Sequence, residues 1–151
     1  MMNRAAVIGA GTMGNGIAHV FAQHGWEVTL IDVSREVLDR GMAVIKGNLD
    51  RQVKKGTIPA EALADILGRI TRETTLEAAA SAELVVEAAT ERPDLKFEIF
   101  RTLDRIGTAD AILASNTSSI SITEIAAVTK RPAQVIGMHF MNPVPMMQLV
   151  E

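Results

Sequence analysis

Short apolar runs alternate along the chain with longer stretches whose apolar residues recur at helical spacing. The short runs predict seven strands, at Arg4–Ile8, Glu27–Ile31, Ile70–Thr74, Leu84–Glu87, Ala111–Ser115, Gln134–His139 and Gln148–Val150. The longer stretches predict helices at Gly11–His24, Arg35–Lys55, Pro93–Gly107 and Thr123–Val128, and a short helix that opens at Pro59. This alternation is typical of an α/β fold with a doubly wound, mostly parallel sheet and helices on both faces. The helix after the second strand is longer than a crossover requires, so we expect it to protrude.

Composition narrows the class of protein. The chain of 151 residues, 48% apolar and 22% charged, suits one soluble globular domain. Its 15 basic residues are scattered and are outnumbered by 18 acidic ones, so nucleic acid is not an expected partner. The absence of cysteine excludes disulfides and Cys-based zinc sites, and no metal is expected. Because neither a signal layout nor a membrane-length apolar run is visible, we expect a cytoplasmic protein with no membrane partner.

A glycine-rich turn carries the first candidate chemistry. The first predicted strand runs into G-x-G-x-x-G, formed by Gly9, Gly11 and Gly14, and a helical pattern follows. Gly9 would permit the tight turn, Gly11 would let a pyrophosphate approach the backbone, and Gly14 would let the helix pack on the sheet. The amides of the first helical turn, which includes Thr12 and Met13, would face the phosphates. Glycines that serve only a turn are the alternative.

An acidic residue follows at the expected distance. Asp32 ends the second apolar run, 18 residues beyond Gly14, near the position of the carboxylate that binds the adenosine ribose in Rossmann-type sites. A carboxylate there would repel a 2′-phosphate, so the cofactor predicted is NAD rather than NADP, and nearby Arg35 would moderate the preference. The fold predicted is therefore a Rossmann-type domain.

Four segments together extend this picture. They are Gly9–Gly14 with Asp32, Val86–Glu91 with Lys96, Ala114–Ser119, and Gly137–Glu151. In this order they resemble the NAD-binding domain of the 3-hydroxyacyl-CoA dehydrogenase family. The resemblance implies an NAD-dependent oxidoreductase that interconverts (3S)-3-hydroxyacyl-CoA and 3-oxoacyl-CoA. It also implies that residues 1–151 are an NAD-binding domain truncated before the helical domain that completes the acyl-CoA site and forms a homodimer.

The same resemblance assigns catalytic residues. His139 ends a predicted strand, so it should lie at the carboxyl edge of the sheet, where it can accept the proton of a substrate hydroxyl. Glu151, twelve residues on, would orient the imidazole and stabilise the imidazolium. Ser118 would hydrogen-bond the substrate 3-oxygen beside the nicotinamide, and Asn142 would lie near both. A structural histidine and a helix-capping Ser-Asn-Thr-Ser-Ser run are the alternatives.

Four further residues resemble ligand contacts of the family. Glu91 and Lys96 would contact the cofactor, and their alternative is a solvated pair at a helix start. Asn48 and Lys55 would contact coenzyme A, where a cation would meet phosphate, and their alternative is a solvated helix face. Met141 stands where the family often has a second Phe, which should affect the acyl pocket.

Three functions therefore compete. The leading one is the dehydrogenase. A catalytically silent NAD-binding module or fragment is the rival from another class, and reduction of a 3-oxo acid without coenzyme A is a second enzyme reading.

Overall fold

The computed structural model describes residues 3–151, whose backbone forms six strands and five helices. The strands are β1 (Arg4–Ile8), β2 (Glu27–Ile31), β3 (Ile70–Glu73), β4 (Leu84–Glu87), β5 (Ile112–Ser115) and β6 (Val135–Gly137). The helices are α1 (Thr12–Gln23), α2 (Arg35–Lys54), α3 (Ala62–Gly68), α4 (Pro93–Ile106) and α5 (Ile122–Ala127). Short 3-10 turns cover Leu76–Ala79, Pro132–Gln134 and Val144–Met146.

All six strands are parallel and lie in the order β3-β2-β1-β4-β5-β6. The chain moves outward from β1 in one direction, returns, and continues from β4 in the other, so β1 and β4 flank the point where the order reverses. Ligands of open α/β sheets bind beyond the carboxyl ends of the strands at this point. The predicted doubly wound parallel sheet is confirmed.

The register aligns the carboxyl ends of the central strands. Ile8 pairs with Ile31 on one side and with Glu87 on the other, and Glu87 pairs with Ser115. The loops that follow β1, β2, β4 and β5 therefore begin at one edge of the sheet. These loops carry most of the predicted site residues.

Apolar side chains fill both faces of the sheet. One cluster packs beneath the first three helices and includes Ile17, Leu30 and Leu38, and the other packs beneath α4 and α5 and includes Phe100 and Leu113. Strands buried on both faces read as continuous apolar runs, which is why β1 and β2 were visible in the sequence.

The long helix after β2 is confirmed. It spans 20 residues and buries one stripe, Leu38, Gly41, Ile45 and Leu49. Beyond Leu49 none of its residues is buried, so its last turn extends past the core with its charged side chains exposed.

Two sequence expectations are wrong. The short helix begins at Ala62 rather than Pro59, because Pro59 lies in a preceding turn where its carbonyl accepts the amide of Ala62 at 3.1 Å. The seventh strand, Gln148–Val150, is not a strand: Val150 makes one isolated antiparallel bridge to Phe140. The two prolines in Pro143–Pro145 lack amide hydrogens and a 3-10 turn occupies this segment, so no longer ladder forms.

Candidate functional site

The glycine turn is shaped by the protein's own packing at two of its three glycines. Gly9 has a φ of 100°, a conformation that side chains disfavour, and a Cβ there would lie 2.6 Å from the Ala88 oxygen. A Cβ on Gly14 would lie 1.7 Å from the Gly9 oxygen, so α1 can cross this close only with glycine. A Cβ on Gly11, by contrast, would meet nothing within 4 Å. Packing therefore requires glycine at positions 9 and 14, whereas the space next to Gly11 is open.

The first turn of α1 faces this open space. Gly11 is the N-cap residue and no side chain caps the helix, so its first amides have no side-chain acceptor. Uncapped amides at the positive end of a helix, with nothing protruding above Gly11, fit a pyrophosphate. The residues of the turn are therefore suited to hold NAD.

Asp32 joins the glycine turn to the loop before α2. Its Oδ2 accepts the amide of Ala10 at 3.0 Å and its Oδ1 accepts the amide of Ser34 at 3.1 Å. A carboxylate has about four acceptor positions, so two remain for ribose hydroxyls. The half-buried side chain is thus fixed at the carboxyl end of β2 with free acceptor capacity.

A cleft of about 320 Å³ lies between the loops after β4, β5 and β6. It is lined by residues that the sequence placed in the site, among them Met13, Glu91, Ser118, His139 and Asn142. The Asn116 side chain accepts the amide of Phe140 at 2.8 Å, which ties the β5 loop to the segment that carries His139. The structure therefore brings Ser118, His139 and Asn142 to one cleft.

His139 and Glu151 face each other across a short antiparallel pair. The His139 amide donates to the Glu151 carbonyl at 2.7 Å, and the Glu151 amide donates to the His139 carbonyl at 2.9 Å. Directly opposed residues of such a pair project their side chains to the same face. No hydrogen bond joins these two side chains. The structure therefore places the two residues opposite each other but does not show a hydrogen-bonded dyad.

Lys96 is completely buried, at the base of the cleft. Its ammonium contacts the buried carboxylate of Glu87, the Ala89 carbonyl at 3.2 Å and the Glu91 carboxylate at 3.0 Å. Its side chain is 0% exposed, so neither a solvated pair nor the predicted direct contact with a cofactor fits Lys96, which reaches the cleft only through Glu91. The part of the pair that reaches solvent is Glu91, whose side chain is 47% exposed.

Glu91 is held from two sides. Its Oε2 accepts the hydroxyls of Thr117 at 2.6 Å and Ser119 at 2.7 Å, while Lys96 contacts Oε1. Partial burial pushes the pKa of Glu91 upward, but the hydroxyl hydrogen bonds and the ammonium outweigh it and hold the pKa below its usual value. Glu91 therefore lies in the cleft as a carboxylate.

The N-cap residue of α5 is Ser121, whose hydroxyl accepts the amide of Glu124. The Ser-Asn-Thr-Ser-Ser run therefore does not cap this helix, which was its alternative role.

Asn48 and Lys55 lie beside a second, smaller groove. Together with Arg51 and Gln52 they form one wall of a space of about 170 Å³, and Pro143, Pro145 and Met146 form the other. Asn48 accepts a hydrogen bond from Arg51, and Lys55 is exposed at the end of α2. This groove opens between the charged end of the long helix and the turn that follows the cleft.

The chain matches one known protein family over almost its whole length. The family described as "3-hydroxyacyl-CoA dehydrogenase, NAD binding domain" matches residues 4–151. The chain belongs to this family. The predicted cofactor, NAD, is confirmed at the level of the family.

Individual members of the 3-hydroxyacyl-CoA dehydrogenase family are similar over the whole chain. A 3-hydroxybutyryl-CoA dehydrogenase of Bradyrhizobium diazoefficiens is 51% identical, over 100% of this chain and 52% of its own length. A 3-hydroxyadipyl-CoA dehydrogenase of Escherichia coli is 47% identical, over 97% of this chain and 31% of its own. The crystal structure of (S)-3-hydroxybutyryl-CoA dehydrogenase from Ralstonia eutropha matches with a TM-score of 0.95 at 45% identity, over 99% of this chain and 53% of that one. The chain thus spans about half the length, or less, of these relatives.

The sequence did not reveal that two polar groups of this NAD-binding domain are buried. Glu87 and Ser115 end adjacent strands and share a hydrogen bond of 2.6 Å beneath the cleft. A charged residue that closes an apolar strand is the signal that could have marked Glu87, because a carboxylate is rarely buried without a partner.

A third missed group lies on α1. His19 is fully buried, and its Nε2 contacts Gln23 at 3.0 Å and Gln52 of α2 at 3.1 Å. Its Nδ1 has no partner. Burial lowers the pKa of His19 below its ordinary value, with a smaller contribution from nearby His24, against the hydrogen bonds of the two glutamines. Histidine at this position is therefore neutral in the fold over most of the physiological range.

Residues 3–151 contain neither a metal-binding cluster nor a membrane-spanning helix. No group of three or more His, Asp or Glu side chains is placed to hold a metal ion. None of the helices in this range is both long enough and apolar enough to cross a membrane.

Proposed function

We propose that this chain is the NAD-binding part of an NAD-dependent 3-hydroxyacyl-CoA dehydrogenase that interconverts (3S)-3-hydroxyacyl-CoA and 3-oxoacyl-CoA. The observation that carries the proposal is the cleft that gathers Ser118, His139 and Asn142 beside the glycine turn. Membership of the family and the printed names of the relatives support the same reaction.

The nucleotide would lie across the carboxyl edge of the sheet. The amides of Gly11, Thr12 and Met13 would bind its pyrophosphate, since no side chain caps them. Asp32 would accept hydrogen bonds from the adenosine ribose. Glu91 would contact the nicotinamide half, and buried Lys96 would support Glu91 from behind.

The proton and the hydride would leave the substrate by separate routes. NAD⁺, when bound, supplies the acceptor for the hydride from carbon 3. The neutral imidazole of His139 takes the proton of the 3-hydroxyl as the carbon–oxygen double bond forms. Glu151 would stabilise the resulting imidazolium, and Ser118 would hold the 3-oxygen by a hydrogen bond. In the reverse direction His139 returns the proton to the alkoxide oxygen.

The acyl-CoA would enter from the groove of Asn48 and Lys55. The Lys55 ammonium is exposed at the groove and would meet a phosphate of coenzyme A. A helical domain that follows the NAD-binding domain would complete the acyl pocket, and the full-length protein would be a cytoplasmic homodimer. Exposed apolar residues on one side, such as Met146 at 72% and Leu149 at 60%, support such coverage.

The test separates the enzyme from the silent module. The 151-residue chain should bind NADH in a fluorescence titration, and should reduce acetoacetyl-CoA poorly because one wall of the pocket is missing. A chain that continues past Glu151 to the relatives' length should reduce acetoacetyl-CoA, and free acetoacetate much more slowly. Absence of NADH binding would refute the proposal. Binding without turnover at full length would favour the silent module, and equal turnover of the free acid would favour a reductase that does not need coenzyme A.

A further inference from the structure

A closed ring of hydrogen bonds links the ends of β4 and β5 beneath the cleft. Glu87 closes β4, and its Oε1 accepts the hydroxyl of Ser115, at the end of β5, at 2.6 Å. Its Oε2 accepts the Ala89 amide at 2.7 Å and the ammonium of Lys96. Glu87, Lys96 and Ser115 are all completely buried, so water offers none of them an alternative partner.

The other half of the ring reaches the cleft. Lys96 contacts Glu91 at 3.0 Å, and Glu91 accepts the hydroxyl of Thr117 at 2.6 Å. The Thr117 amide donates in turn to the Ser115 hydroxyl oxygen at 3.2 Å, which closes the circuit back to Glu87. Ser118, the predicted substrate contact, is the exposed residue that follows Thr117.

Stability alone does not explain this arrangement of charges. A buried ion pair can often be replaced by neutral residues without loss of stability, so we look for a role of these charges at the cleft. Here one ammonium serves two carboxylates, one of them completely buried and the other half-exposed at the cleft. The buried carboxylate fixes where the ammonium lies, and the ammonium then fixes Glu91.

We propose that Glu87 is a positioning residue that acts through Lys96 and Ser115 to hold Glu91 and the Ser118 loop at the nicotinamide end of the cleft. Glu87 touches neither cofactor nor substrate. The proposal rests on the proposed function, because it takes the cleft to be the place where the nicotinamide half of NAD binds.

The test compares two ligands that share the adenosine and pyrophosphate moieties. NADH occupies the whole site, whereas ADP lacks both the nicotinamide and its ribose and reports only on the glycine turn and Asp32. For Glu87→Gln we expect the Kd for NADH to rise about 10-fold while the Kd for ADP stays within about twofold, since a tenfold change corresponds to one well-placed contact. A purely structural role would weaken both ligands together.

Asp104→Asn is the matched control. Asp104 is a largely buried carboxylate paired with Arg131 at 2.8 Å, at the opposite edge of the sheet from the cleft. It should lower the thermal midpoint of unfolding as Glu87→Gln does, yet leave the ratio of the two Kd values at its wild-type value.

Every outcome of this test either supports or overturns the proposed role of Glu87. A selective loss of NADH affinity in Glu87→Gln alone supports the proposal, and equal losses for both ligands, or no loss, overturn it. If Glu87→Gln does not fold, Ser115→Ala removes one link of the ring without leaving a buried charge unpaired. It should weaken binding of NADH about threefold and leave binding of ADP unchanged, and an unchanged ratio of the two Kd values there would overturn the proposal. Failure of the wild-type chain to bind NADH would instead refute the proposed function.

Discussion

Asp32→Asn should reverse much of the preference between NADH and NADPH. The Asp32 carboxylate has two acceptor positions left after it accepts the amides of Ala10 and Ser34. Hydrogen bonds from ribose hydroxyls to a charged acceptor are worth about 1.5–3 kcal/mol, so the loss should weaken NADH roughly 10–100-fold.

The same change should help NADPH. Two unit charges about 4 Å apart near a protein surface repel by about 4 kcal/mol before screening by salt. Since Asp32 is only half-buried, relief of roughly 1–3 kcal/mol is expected. Together the two effects should shift the ratio of the Kd values by roughly 10²–10⁴.

The measurement is a fluorescence titration of both nucleotides at fixed ionic strength. The asparagine keeps one acceptor oxygen, so one of the two amides loses its partner and the free energy of unfolding should fall by about 1–3 kcal/mol. Glu36→Gln, which removes the same charge from the exposed first turn of α2, should leave the nucleotide ratio nearly unchanged. Equal or tighter binding of NADPH by the unmodified chain, or an unchanged ratio in Asp32→Asn, would refute the assignment of the ribose site.

Two further predictions concern the fold around this site. Gly11→Ala should leave the thermal midpoint of unfolding nearly unchanged but weaken NADH binding at least 10-fold, because its Cβ would enter the open space that the pyrophosphate would fill. Gly14→Ala should lower the free energy of unfolding by about 3 kcal/mol or more, because its Cβ would clash with the Gly9 oxygen. Similar stabilities of the two variants would contradict this prediction. Because burial lowers the pKa of His19 in the folded chain, the unfolded chain binds more protons below the ordinary value of 6.5, so the free energy of unfolding should be full above that pH and fall as the pH drops below it. Urea unfolding at about pH 7.5 and about pH 5 should show a smaller difference for His19→Gln than for the wild-type chain, and an equal difference would exclude His19 as the source.

The sequence predicted most of the fold because the sheet is buried on both faces. Its strands read as apolar runs, and Gly9 and Gly14 marked the turn between β1 and α1. The errors fall where local rules compete with packing. Pro59 suits a helix start, but the chain turns there once more before α3. Gln148–Val150 has the pattern of a strand, yet the proline-rich turn before it leaves room for only one bridge.

The site was predicted less evenly. Most of its residues were predicted from the resemblance to the family, and several of them line the cleft. The sequence did not show that Glu87 and Lys96 are buried, because only the fold removes both side chains from water. Likewise, nothing in the sequence distinguishes buried His19, within α1, from exposed His24, which follows the helix. Burial at a specific point is a property of tertiary packing and not of local pattern.

The central claim is that His139 and Glu151 act as one unit on a proton, and a double-mutant cycle tests it most directly. The measurement is kcat for acetoacetyl-CoA reduction by the full-length protein with His139→Gln, Glu151→Gln and both changes. His139→Gln should lower kcat roughly 10²–10⁴-fold with little change in NADH affinity, and Glu151→Gln by the same amount or less. The double variant should cost much less than the product of the two single effects. Strictly multiplicative losses, or an unchanged kcat in His139→Gln, would contradict the account.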